Sequence, residues 1–136
     1  MTSDSKKMTG IILLSLPTII FGGNFILNLL SGQHQQLELT EFQISMFRAG
    51  HGHAGVLVVL AIIAQMLTDQ TNLNDTWKWI VRGGFPLSAL VVSGGFFAAA
   101  GGVGTTEPNS FIFLLYTGMI LLAFSLVVLG VGLLRK

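Results

Sequence analysis

The chain has 136 residues, of which 51% are hydrophobic and only 10% charged, with a formal net charge of +1 and no cysteine. A soluble domain carries about 25% charged residues, so this composition cannot clothe a water-facing surface, and the mean hydropathy of +0.75 agrees. Near-neutral charge gives no field for nucleic acid, and the lack of cysteine excludes disulfides, thiolate metal sites and thiol nucleophiles.

The first apolar run follows "MTSDSKK" and extends from Met8 to Leu30. It matches the ~20 residues a membrane span needs and exceeds the core of a cleaved signal peptide, so it reads as a retained span, roughly 9–31. Pro17, Asn24, Asn28 and Ser31 fall on a narrow arc of it. The second span, 48–68, starts its helix early: "TEFQ" has the capping-box form, in which the Thr40 hydroxyl accepts from the backbone three residues on. Asn74 or Asp75 caps the approach to a third span at 80–102, and a fourth covers 111–134. Open strands leave backbone groups unpaired in lipid, and four segments are too few for a barrel. The expected fold is all-α, a four-helix transmembrane bundle forming one integral membrane domain over 1–136.

Basic residues near span ends set orientation. Lys6, Lys7, Lys78, Arg82, Arg135 and Lys136 share one side, and Arg48 alone takes the other. Both termini are therefore expected in the cytoplasm of a bacterial cell, with Trp77 and Trp79 anchoring the inner interface.

The segment "FRAGHGHAG" at 47–55 carries the ionisable groups nearest the hydrocarbon. At about 100° per residue, Glu41, His51, Gly52 and Gly55 all lie within about 60° of Arg48, whereas His53 lies about 140° away. Asn24, Asn28, Tyr116, Thr117 and Ser93 fall in the half of the membrane away from the termini, and the inner half reads as almost wholly aliphatic. A Gly94–Ala98–Gly102 line supplies a small-residue face for helix packing. Asn24 and Asn28 read either as interhelical hydrogen-bonding partners or as the wall of a pocket, and Arg48 either as a lipid-phosphate contact or as a ligand contact.

"FRAGHGHAGVL", with "SGGFF" later in the chain, resembles a group of small uncharacterised four-helix membrane proteins of Gram-positive bacteria. These carry a FRAGHxHAG segment after a short outer loop with an "LTxFQ"-like cap. The resemblance covers most of the chain, includes Arg48, His51 and His53, and implies the fold without implying an activity. Over a few residues the HxH element is also similar to histidine-bearing helices of haem–copper oxidases and related nitric-oxide-response proteins. The other histidines of those proteins have no counterpart here.

No Ser–His–Asp spacing, HExxH, P-loop or carboxylate within a span appears, which leans away from an enzyme. The leading expectation is an outward-opening polar pocket that binds or passes a small ligand or ion, built from Asn24, Asn28, Arg48, His51 and Tyr116. The alternatives are a redox protein holding haem or a transition metal through His51 and His53, with a homo-oligomer supplying a second ligand, and an accessory subunit docked in the bilayer on a larger membrane partner. A lipid-directed enzyme with Arg48 on a phosphate and His51 as base has no carboxylate partner within the membrane.

Overall fold

Residue order alone produces four antiparallel helices: α1 (Ser3–Leu30), α2 (Glu41–Thr68), α3 (Asp75–Ala99) and α4 (Ile112–Leu134). The computed structural model describes residues 1–31 and 38–135; His34 lies outside them. Among the described residues all regular structure is helical, and all four helices are long and apolar enough to cross a membrane. α2 packs on α1 and α3, and α3 packs on α4. α4 touches α2 lightly and α1 not at all. The chain termini and the α2–α3 connection meet at one end of the bundle, joined by Thr2–Asp69 and Asn72–Arg135 hydrogen bonds. That end is called the terminal end below, and the other the loop end.

Polar residues punctuate the helices where the sequence demands it. Thr2 caps α1 by accepting from the Ser5 N–H, so the helix begins well before the hydrocarbon-length run. With 28 residues at about 1.5 Å each it extends roughly 42 Å, past the ~30 Å of hydrocarbon. Thr40 and Gln43 form the full capping box of α2, and the Asn74 side chain caps α3 through the Trp77 N–H. Asn109 closes one helix and opens the next. Its Nδ2 donates to Ala98 O at 2.9 Å and Gly101 O at 3.1 Å, while its Oδ1 accepts from the Phe111 N–H at 2.9 Å. The side chain thereby ties the α3 C-terminus and the turn after it to the start of α4, adding to the Gly101 N–H that Ala98 O already accepts at 3.1 Å.

Close approach between α3 and α4 rests on glycines other than the expected ones. A Cβ added at Gly95 would sit 2.5 Å from the Leu115 backbone nitrogen, and one at Gly118 would sit 2.7 Å from that of Val92. The Gly94–Ala98–Gly102 line does not serve this contact: Gly94 faces open space, and Gly102 lies beyond the helix at φ 120°. Lipid and helix interiors are equally apolar, so the sequence pattern does not reveal which small-residue stripe faces a neighbour.

α1 is the least embedded helix, burying only Ser5, Ile12 and Ile26. Its Leu14, Ile20 and Phe21 are largely exposed on the side facing away from the bundle. Aliphatic surface of this kind is stable only against lipid or another apolar partner.

Candidate functional site

The expected outer constellation is dispersed. His51 is half-buried and turned onto α1, where a Cβ added at Gly23 would lie 2.8 Å from its Nε2. His53 points to α3 instead. Its Nδ1–H donates to Ala49 O at 2.8 Å, and its ring stands 4.8 Å from that of Phe96. The two imidazoles thus address different helices, and among the described residues no three His, Cys, Asp or Glu side chains gather as a metal-binding set. Arg48 and Asn24 are exposed, and Asn28 is half-buried. Tyr116 is exposed on α4, a helix that does not touch α1, so it does not join Asn24 and Asn28. Gly52 and Gly55, which share the Arg48 phase, face open space.

Two features stand in place of that constellation. One is a cleft of about 350 Å³ between α1, α2 and α3. Ile12 and Ile19 form one wall, Val58 the floor, and Ala89, Ser93 and Gly94 the opposite wall. It exists because α1 and α3 barely meet, leaving their seam over α2 unfilled. The lining is almost entirely hydrocarbon, and two of its hydroxyls are internally committed: Ser15 donates to Ile12 O and Thr18 to Ser15 O. Ser93 is different. It is 7% exposed, and its hydroxyl is buried without a hydrogen-bond partner. An unpaired hydroxyl in an apolar setting is costly, about 1–3 kcal/mol, so this oxygen is the cleft's one uncommitted polar contact. His51 and Gly23 meet about one helical turn toward the loop end from Ala54 and Ile19 of the lining.

The second feature corrects the expectation of an aliphatic inner half. At the terminal end Arg82, only 3% exposed, pairs with Asp69 at 2.7 Å. The Ser5 hydroxyl lies 2.7 Å from Asp69 Oδ1 and 2.9 Å from Gln65 O, while the Thr2 N–H donates to Asp69 Oδ2 at 2.7 Å. Burial pushes the Asp69 carboxyl upward. The hydrogen bonds from Ser5, Thr2 and Arg82 outweigh that effect and hold it well below the usual carboxylate range. Arg82 is therefore a buried partner of Asp69 and not a free interfacial charge. Gln65, fully buried, has a separate cause. Pro86 has no N–H to offer the carbonyl four residues back, and Gln65 Nε2 donates to that Arg82 carbonyl at 3.0 Å. The sequence signals were present: one amide inside "AIIAQML", a proline four residues after an arginine, and an aspartate ending a span.

No protein-family model, curated protein or solved structure matches the chain.

Proposed function

We propose that the chain is a membrane-embedded binding protein for a small, mostly apolar molecule bearing one hydrogen-bond acceptor. The ligand occupies the α1–α2–α3 cleft, entering sideways from the bilayer along α1. The unpartnered, buried Ser93 hydroxyl in an otherwise apolar lining carries this reading. A volume of about 350 Å³ lies at the lower end of the ~300–1,000 Å³ range of small-molecule sites, which combine apolar walls with a few placed polar groups. Ser93 donates to a carbonyl or ether oxygen of the ligand. The half-buried His51 imidazole closes the α1–α2 seam above it. No bond-making step is part of this role.

The terminal end is assigned to the cytoplasm. With Arg82 committed to Asp69, Lys6, Lys7, Lys78, Arg135 and Lys136 still outnumber Arg48.

Binding of a radiolabelled C10 methyl ketone to the purified protein in micelles tests the ligand reading. Wild type should take up one ketone and bind the equal-length alkane more weakly. Ser93→Ala should lower ketone affinity about threefold to tenfold, the factor of one hydrogen bond in a bilayer setting, without changing alkane binding. Gly94→Leu, which directs a side chain into open space beside Ser93, should abolish both. Ketone and alkane binding equally to wild type and to both variants would overturn the reading.

A further inference from the structure

Away from α1, a second opening of about 230 Å³ lies at the terminal end between the start of α3 and the end of α4. Leu73, Val127, Val128 and Val131 form its apolar body, and Trp77 and Arg135 complete it. Both sit at helix ends: Trp77 is in the first turn of α3, and Arg135 ends α4. Trp77 leans on Phe124 with ring centroids 6.3 Å apart, which fixes the indole beside the slot. Arg135 is held through its backbone: its N–H donates to Val131 O at 3.1 Å, and its carbonyl accepts from Asn72 Nδ2 at 3.4 Å. Leu73 fills the space over Gly132, where an added Cβ would meet its side chain at 2.7 Å. The slot is thus pinned to the α2–α3 connection.

Its two polar groups are both donors, and both are unspent. Among the described residues, the hydrogen bonds of Arg135 and Trp77 run through their backbones, and neither the Arg135 guanidinium nor the Trp77 indole N–H has a hydrogen-bond or ion-pair partner. The slot continues into the lipid-facing surface of α4, where Val127 and Val131 are exposed. One cation and one aromatic donor thus stand at the helix ends over an apolar channel.

We propose that this slot is a binding site for one anionic phospholipid. An acyl chain lies along Val127, Val128 and Val131, and the phosphate oxygens accept from the Arg135 guanidinium and the Trp77 indole N–H. The face abuts the bilayer, so a lipid is its natural occupant. The unpaired guanidinium favours a headgroup with net negative charge over a zwitterionic one, whose own ammonium already offsets the phosphate. The site is independent of the α1–α2–α3 cleft and of any ligand there.

Native mass spectrometry of the full chain, titrated with phosphatidylglycerol or phosphatidylcholine of identical acyl chains, tests the proposal. Wild type should retain one phosphatidylglycerol with about a fivefold preference, the factor of one interfacial cation. Arg135→Gln should erase the preference, and Arg135→Lys, which preserves charge and fold, should keep most of it. Val131→Phe should reduce retention of both lipids, and glycerol phosphate, lacking a chain, should not compete. Equal retention of the two lipids by wild type, an unchanged preference in Arg135→Gln, competition by glycerol phosphate, or a dimer in place of the lipid adduct would each overturn it.

Discussion

Removing the Asp69 carboxylate strands a charge. In Asp69→Ala the Arg82 guanidinium, 3% exposed, loses its 2.7 Å ion pair, and the Thr2 N–H loses an acceptor. Breaking one side of a buried pair costs about 3–5 kcal/mol, because the guanidinium is left with only the neutral Thr2 and Ser5 hydroxyls, each at 3.3 Å, and no counter-charge. Exchanging both charges for apolar groups avoids that cost. Asp69→Ala combined with Arg82→Met should therefore recover most of the loss, with a coupling of about 2 kcal/mol or more. Unfolding in micelles, followed by helical circular dichroism and by tryptophan emission, reads both quantities; the Trp79 ring lies 6.0 Å from the Arg82 guanidinium carbon and reports locally. The pH dependence carries a definite sign. The folded Asp69 carboxyl is held below its ordinary value by Ser5, Thr2 and Arg82 against the upward push of burial. Its contribution is complete above the unfolded value of about 3.9 and declines as pH falls through the lower folded value. The difference between wild type and Asp69→Ala should be flat from about pH 8 to pH 5 and shrink below about pH 4. A single-variant loss under about 1 kcal/mol, or single losses that simply add in the double variant, would refute the buried-pair reasoning.

Gly95→Ala should destabilise by about 1–3 kcal/mol or more, because its Cβ meets the Leu115 backbone. The neighbouring Gly94→Ala, in open space, should be neutral or gain up to about 1 kcal/mol of helix propensity; equal effects in the same melting assay would contradict the assigned packing phase. Gln65→Leu should cost about 1–3 kcal/mol by orphaning the Arg82 carbonyl. Adding Pro86→Ala supplies the missing N–H and should restore much of it, so a double variant no better than the single would show that the amide acts otherwise. Gln43→Leu removes donors to Ala100 O at 2.9 Å and Gly102 O at 2.8 Å and should raise hydrogen exchange over 100–105 while the terminal end stays protected; unchanged exchange would refute that link.

Helix number and the Thr40 cap were legible because they rest on length and on local polar chemistry, and of the two candidates Asn74 and Asp75 the structure selects Asn74 as the cap of α3. The opposite phases of His51 and His53 were legible for the same reason, since one helix fixes both. Contacts between helices were not. Arg82 read only as a basic residue near a span end, and no local pattern links it to Asp69 across the α2–α3 connection; only the three-dimensional approach of α1, α2 and α3 joins both to Ser5. Asn24 and Tyr116 share a membrane depth in the sequence, but the bundle gives them helices that do not meet. Ser93 was legible as a polar residue in an apolar run, whereas its lack of a partner depends on the gap between α1 and α3.

Photoaffinity mapping tests the cleft most directly. A diazirine-bearing C10 methyl ketone, photolysed on the reconstituted protein and located by peptide mass spectrometry, should label Ile12, Ile19 and the 89–94 segment, and Gly94→Leu should abolish that labelling. Labels spread over lipid-facing positions such as Leu14, Ile20 and Ile120, unchanged by Gly94→Leu, would contradict a binding cleft between α1 and α3.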